Sequence, residues 1–207
     1  MGNNLVSFSA KDLCSRSCMQ IKMFNEHPEL RPKINENIKK GISFQDTLAR
    51  KFNNLIGQEM RGSFINDNIC INFSNDLVCS DKIVEVKSVN KEPEEWYFNS
   101  SCLQTAIYCA LLKKSNKKLV TSKFYSDLGN KIVETKVNDN VDYYLQFGDK
   151  TYKVEITNLQ NLINFLLNKA NACLYWETAK TFDSSYKHKE FDTLKDSFVI
   201  SEVKPLA

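Results

Sequence analysis

The stretch from residue 62 to residue 89 constrains the fold most, because it predicts a meander of short strands between two helical segments. β-Branched and aromatic side chains cluster in the runs 63–65, 69–73, 77–79 and 82–87. Asn66-Asp67-Asn68 and Ser80-Asp81-Lys82 separate these runs and have the composition of turns. We therefore expect three or four neighbouring strands in this part of the chain.

Periodic segments before and after the meander predict helices. The preceding helix is predicted over residues 42–56, with Ile42, Ala49, Phe52 and Ile56 spaced at close to 3.6 residues per turn. Gln45 falls on the same apolar stripe, and a buried polar side chain there must find a partner. Residues 25–40 contain two prolines and predict a broken connection. The following helix is predicted over residues 100–114.

A second group of strands and a further helix are predicted in the remainder of the chain. Alternating patterns cover residues 118–126, 131–136, 141–147 and 150–156, and a third helix is predicted over 159–175, before a polar, aromatic tail. The order of helix, sheet, helix, sheet and helices predicts an α/β or α+β fold. At 207 residues the whole chain, 1–207, fits one domain.

Composition limits the partners and the compartment. The chain has 28 basic and 25 acidic residues, a balance too mild to indicate a nucleic-acid partner by itself. No apolar run approaches the length of a membrane span, so no membrane association is predicted. The seven cysteines are odd in number and lie mostly in apolar surroundings, and the first 25 residues contain no signal-peptide core. These features predict a reducing, cytoplasmic location.

The meander also carries a set of chemical groups that suits a metal ion. Asp76 is predicted to open one strand and Glu85 to lie in the next, and paired strands are only about 4.8 Å apart. Glu85 and Lys87 are two residues apart and share a face of their strand, while Val86 faces a core. Two carboxylates and an ammonium on one surface suit a hard cation such as Mg²⁺, which prefers oxygen ligands.

These residues resemble the signature of the PD-(D/E)XK nuclease superfamily. Asp76 followed by Glu85-Val86-Lys87 matches its pattern, with Asn75 where proline is usual. Gln104 and Tyr108 in the following helix are similar to the Gln-x-x-x-Tyr motif of its RecB-like and lambda-exonuclease-like branch. The resemblance covers about residues 5–112, which leaves 118–207 as a C-terminal sheet and helical extension.

The preceding helix also fits this branch in part. Gln45 follows Gly41 by four residues, in a slot where relatives commonly have His or Glu. A neutral residue there leaves open whether the site holds one metal ion or two. Only Cys173 lies beyond residue 109, whereas the iron–sulfur subgroup needs three clustered cysteines near the C-terminus. We therefore expect no iron–sulfur cluster.

The resemblance implies a restriction-endonuclease-like core, with a mixed central β-sheet flanked by helices, and metal-dependent hydrolysis of phosphodiester bonds. It implies that Asp76, Glu85 and the carbonyl of Val86 bind Mg²⁺ or Mn²⁺, and that Lys87 orients or deprotonates the attacking water. The remaining implied residues of the catalytic site would contact the metal-bound water or the scissile phosphate, and they are Gln104, Tyr108 and Gln45.

A group of lysines after the second helix is the candidate DNA-binding surface. It consists of Lys113, Lys114, Lys117 and Lys118. Such a cluster can contact the phosphate backbone, but it equally suits a solvated helix end, where cations complement the helix dipole.

The function that this sequence predicts is a DNA nuclease, most similar to an exonuclease of replication, recombination or repair. The small size favours a phage or viral enzyme. Two alternatives stay open, an endonuclease or junction resolvase of the same fold and a catalytically inactive nucleic-acid-binding relative. DNA is the expected partner, and a homo-oligomer or a recombination or replication protein is a further possibility.

Overall fold

A mixed β-sheet flanked by helices forms the protein, which confirms the predicted fold class. The computed structural model describes residues 5–31, 33, 35–89, 94–115, 118–121, 133–138, 140–174 and 190–206. The strands of the described part are β1 (Val6–Ser9), β2 (Leu55–Asn66), β3 (Ile69–Cys79), β4 (Lys82–Lys87), β5 (Lys118–Thr121), β6 (Val133–Lys136), β7 (Asp142–Phe147), β8 (Lys150–Ile156) and β9 (Phe198–Val203). The α-helices there are α1 (Ala10–Ser15), α2 (Cys18–Glu26), α3 (Glu36–Ala49), α4 (Glu95–Lys114), α5 (Leu159–Leu174) and α6 (Glu190–Leu194).

The nine described strands form one sheet in the order β6-β5-β2-β3-β4-β7-β8-β9, with β1 beside part of β3. The strands β2, β3 and β4 form an antiparallel meander, as predicted. The strand β7 then runs parallel to β4. A parallel neighbour requires a crossover, and α4 lies in the connection between these two strands.

Along one edge, the long strand β3 pairs first with β1 and then with β4. Its side chains also exchange faces of the sheet about halfway along. Its first residues, 69–72, pair with β1, and its last residues, beginning at Leu77, pair with β4. The side chain of Phe73 lies in the main core, and five residues later so does that of Val78. Because alternate residues of a regular strand face opposite sides, this strand turns over between them. Asp76 lies in the part that turns over.

Two apolar cores lie on opposite faces of the sheet. The main core packs β-strand residues against α1, α4 and α5. The second, smaller core contains Leu48 and Ala49 of α3 together with Val84 and Val86 of β4. The prediction that Val86 faces a core is confirmed. None of the helices in the described ranges is long and apolar enough to cross a membrane.

The bounds of the first predicted helix were wrong at both ends. The helix α3 begins at Glu36, not near Gly41, because the side chain of Asn35 caps it by accepting a hydrogen bond from the Ile38 amide. It ends at Ala49, and Ile56 lies in β2. The prolines that predicted a broken connection precede the cap, so they do not disturb the helix.

Other boundaries also differ from the prediction. The runs 69–73 and 77–79 are one strand, so Asp76 lies within a strand and does not open one. The helix predicted from residue 100 begins at Glu95. The strand β9 was not predicted, although it pairs with β8 along its whole length. Parts of the predicted strands 118–126 and 131–136 lie outside the described residues.

Gly62 is a position where the sheet has no room for a side chain. A Cβ atom there would lie 2.5 Å from Cζ of Phe73 and 3.0 Å from Cδ2 of Leu119. We expect Gly62→Ala to lower the free energy of unfolding by about 1–3 kcal/mol, because overpacking displaces the ring. Urea denaturation measures the change.

The matched control for this substitution is Gly41→Ala. A Cβ atom at Gly41 would lie 3.5 Å from Oγ of Ser88, an ordinary contact, and Gly41 lies inside α3. Since alanine favours helix formation, Gly41→Ala should raise the free energy of unfolding by about 0.5–1 kcal/mol. Equal effects of the two substitutions would contradict the packing argument for Gly62.

Candidate active site

The candidate site is a cleft of 840 Å³ beside the β3–β4 hairpin. The structure brings every predicted catalytic and metal-binding residue to this cleft. Those that line it are Gln45, Asp76, Glu85, Val86, Lys87, Gln104 and Tyr108. They come from α3, β3, β4 and α4, so that chain segments distant in sequence build one site.

Asp76 is fixed at the point where β3 and β4 separate. The last backbone pair of the two strands toward the cleft is Leu77 with Val84. Beyond it, the Val86 amide donates a hydrogen bond to Oδ2 of Asp76 at 2.8 Å. Because the amide and carbonyl of one strand residue point to the same side, the Val86 carbonyl also faces the Asp76 side. Its predicted place beside the two carboxylates fits this geometry.

Glu85, Lys87 and Gln104 form a connected network in the cleft. Oε1 of Glu85 accepts hydrogen bonds from Nζ of Lys87 and from Nε2 of Gln104, each at 2.7 Å. Nζ of Lys87 also donates to Oε1 of Gln104 at 3.3 Å. The Glu85 side chain is only 5% exposed, and its second oxygen, Oε2, is buried and has no hydrogen-bond partner among the described residues. A buried anionic oxygen without a partner is costly, which suits it to bind a cation.

Tyr108 completes the polar row on α4, one turn after Gln104. Nε2 of Gln104 lies 3.1 Å from the Tyr108 hydroxyl oxygen. Burial, followed by the charge of Glu85, raises the pKa of Tyr108 well above its ordinary value. The hydroxyl therefore stays protonated and able to donate. The Tyr108 ring also packs against Phe73, with 6.3 Å between ring centroids, which links the site to the main core.

The carboxylates of the site carry more negative charge than the Lys87 ammonium can offset. Burial, with the nearby Glu85 carboxylate, raises the pKa of Asp76 to about 7. Burial by itself lowers the pKa of the Lys87 ammonium, but the charges of Glu85 and Asp76 outweigh it and raise that pKa. Lys87 is thus a cation that offsets part of the negative charge, and a bound metal ion would offset the rest.

Gln45 makes a different contact from the predicted one. Its Nε2 donates to the backbone carbonyl of Asp76 at 3.1 Å. Gln45 is only 8% exposed, and this bond gives its amide the partner that a buried polar group needs. In this structure Gln45 therefore positions the main chain of Asp76. A contact with metal-bound water stays a prediction.

The described lysines of the predicted DNA-binding surface are not among the residues that line the cleft. Lys113 and Lys114 are exposed in the last turn of α4. Lys118 is 56% exposed and forms an ion pair with Glu134 on the adjacent strand β6. Lys117 lies outside the described residues. Their role in DNA binding stays a prediction.

Sequence reasoning missed two charged residues of the cleft, Glu59 and Lys11. Glu59 lies in β2, a strand whose first half the sequence pattern did not indicate. The pairing of β2 with β3 is the signal that would have found it, because this register places Glu59 beside Asp76. Lys11 lies in α1, the helix that begins after the Ser9 cap.

The donor set fits a hard divalent cation. Asp76, Glu85 and the Val86 carbonyl offer oxygen ligands, and Oε2 of Glu85 accepts no hydrogen bond from the described part of the chain. No three acidic, histidine or cysteine side chains in the described ranges converge on one point that could hold a metal ion. Mg²⁺ in proteins usually keeps several water ligands, so one or two carboxylates are enough to hold it.

Comparisons with known proteins give little more. No family model matches the sequence, and no curated protein matches it. A solved structure described as the crystal structure of SSO0001 is similar to 92% of this chain and 85% of its own, with 16% sequence identity and a TM-score of 0.49. A similarity at this level carries no argument about function.

Proposed function

We propose that this protein is a Mg²⁺- or Mn²⁺-dependent nuclease of the PD-(D/E)XK type that hydrolyses phosphodiester bonds in DNA as an exonuclease. The observation that carries the proposal is the buried Oε2 of Glu85, without a hydrogen-bond partner, in the same cleft as Asp76, Lys87 and Gln104. Two carboxylates in such a place do not stabilise the fold, because removing charges from water costs free energy. Gln45, the β3–β4 hairpin and Gln104 also follow one another along the chain in the order of the nuclease motifs that they resemble.

The residues of the cleft have separate parts in this reaction. Asp76, Glu85 and the Val86 carbonyl would hold the divalent cation. Such an ion, when bound, supplies Lewis-acid polarisation of the phosphate and a water molecule of lowered pKa. The Gln45 amide keeps the Asp76 backbone in place through its bond to the carbonyl.

Lys87 orients the nucleophile or the phosphate. Its ammonium is held by Oε1 of Glu85 and Oε1 of Gln104, which fixes its direction within the cleft. An ammonium has three donor hydrogens, so a third remains to bind an attacking water or a phosphate oxygen. The Gln104 amide and the Tyr108 hydroxyl add fixed polar groups where charge develops on the phosphate.

The rest of the cleft suits a polyanion. Lys11 of α1 and the asparagines at the start of α3, Asn35 and Asn37, line it together with the catalytic groups. They provide a cation and amide donors for phosphate oxygens away from the reacting bond. DNA is therefore the proposed substrate and partner.

The experiment is a cleavage assay with the wild-type protein. End-labelled linear duplex, linear single strand and closed circular DNA are each incubated with Mg²⁺, with Mn²⁺ and with EDTA. We expect degradation of the linear DNA only, in either metal and not in EDTA.

Cleavage of the closed circle would assign an endonuclease in place of an exonuclease. If every DNA substrate stayed intact in both metals but was still bound in a mobility-shift assay, the inactive binding module would replace the nuclease.

A further inference from the structure

Glu59 faces the proposed metal site from the strand on the other side of Asp76. The pairs Gln58 with Leu77 and Met60 with Asn75 flank this position in the β2–β3 register. Glu59 therefore lies opposite Asp76.

Glu85 occupies the equivalent position on the opposite side. Continuing the β3–β4 register by one residue beyond the pair of Leu77 with Val84 places Glu85 opposite Asp76. Adjacent strands are about 4.8 Å apart. Residues Glu59, Asp76 and Glu85 thus follow one another across three strands, with Asp76 at the centre, and all three line the same cleft.

The backbone of Glu59 has an unusual conformation for a strand residue. Its φ angle is 48°, in the left-handed region that residues with a side chain rarely adopt. This conformation coincides with the place where β3 turns over, between Phe73 and Val78. The sheet therefore maintains a strained backbone at the one position of β2 that is opposite Asp76, and strain of this kind is concentrated at functional sites.

Glu59 lines the same cleft as the two carboxylates of the proposed metal site. The buried, unpartnered Oε2 of Glu85 is an independent sign that the cleft is built for a cation. Glu59 and Glu85 flank Asp76 from the two neighbouring strands, β2 and β4.

We infer that Glu59 is a third metal-binding carboxylate, which together with Asp76 holds a second divalent cation beside the one assigned to Asp76 and Glu85. This inference rests on the proposed function. In two-metal sites the ions are about 3.5–4 Å apart, a distance that a central, shared carboxylate can bridge.

The test is a titration of the metal-free protein with Mn²⁺ alone, by calorimetry. We expect about two ions for the wild type and about one for Glu59→Gln, as for two-metal sites. Glu59→Asn is a second variant, because asparagine accepts the left-handed backbone more readily than glutamine. It should also bind about one ion.

Asp67→Asn is the matched control, since Asp67 also has a positive φ, of 51°, but lies in the turn at the far end of the hairpin. It should bind as many ions as the wild type.

The outcomes separate this inference from the proposed function. If the wild type and both Glu59 variants bound the same number of ions with the same affinity, Glu59 would not be a ligand, and the nuclease proposal would stand. If the wild type bound no Mn²⁺ and left DNA intact, both would fail. Loss of one ion in the Glu59 variants, with two retained in Asp67→Asn, would assign the residue.

Discussion

Asp76→Asn should lower the rate of metal-dependent DNA degradation by about 10²–10³-fold or more, with the fold retained. The substitution removes a negative oxygen from the centre of the proposed metal site, where charge stabilisation of the transition state depends on the bound ion. Asparagine has nearly the same shape, and its side-chain oxygen can still accept the hydrogen bond that Oδ2 of Asp76 receives from the Val86 amide. The measurement is the initial rate on end-labelled linear DNA at saturating Mg²⁺.

The metal-free form of this variant should also melt at a higher temperature than the metal-free wild type. Asp76 is half-buried next to the Glu85 carboxylate, so the wild type incurs both desolvation and repulsion at this position. The neutral amide removes both. Asp67→Asn, the same chemical change on an exposed turn, should leave the rate unchanged. Equal rates for Asp76→Asn and wild type would remove Asp76 from the catalytic site.

Lys87→Ala should abolish most of the proposed activity and also lower the free energy of unfolding of the metal-free protein. The activity should fall by about 10²–10⁴-fold, as for loss of a positioned proton donor or acceptor. The Lys87 side chain is 15% exposed and its Nζ lies 2.7 Å from Glu85, which is 5% exposed. Removing one partner of a buried ion pair leaves the other uncompensated, and we expect the free energy of unfolding to fall by about 3 kcal/mol.

The response to Mg²⁺ distinguishes this explanation from a general loss of packing. Without the ammonium, the buried carboxylates gain more from a bound cation, so Mg²⁺ should raise the melting temperature of Lys87→Ala more than that of the wild type. Lys82→Ala is the matched control, because Lys82 lies on the same strand with a side chain that is 16% exposed, in an ion pair with the exposed Asp81. It should keep the activity and the Mg²⁺ response of the wild type.

Parts of the candidate site could be predicted from short, regular spacings, whereas the resemblance to a known family implied that these parts meet. Glu85 and Lys87 share a strand face, and Gln104 and Tyr108 share a helix face, so local periodicity alone brings each pair together. The predicted hairpin then places Asp76 beside Glu85. Each of these predictions needs only local geometry, and the structure contains the corresponding contacts.

The contribution of β2 could not be predicted in the same way. Residues 55–61 contain Gly57 and polar residues, and their apolar side chains were assigned to the end of a helix. Glu59 reaches the cleft through the pairing of β2 with β3 and through a left-handed backbone, neither of which is visible in a pattern of apolar residues. The bond from Gln45 to the Asp76 carbonyl similarly depends on where β3 leaves the β4 ladder.

The side chains of β4 alternate between the cleft and the smaller core, and this alternation limits which changes in chain length the protein can accept. Inserting or deleting one residue in the turn at Ser80 and Asp81, with the strand pairing retained, would exchange the two sides of β4. Glu85 and Lys87 would then point into the apolar layer beneath α3, and Val86 would point into the cleft. If the proposed activity is correct, we expect homologous chains that share it to tolerate length changes in the loops beyond β4 but to preserve the length of this turn.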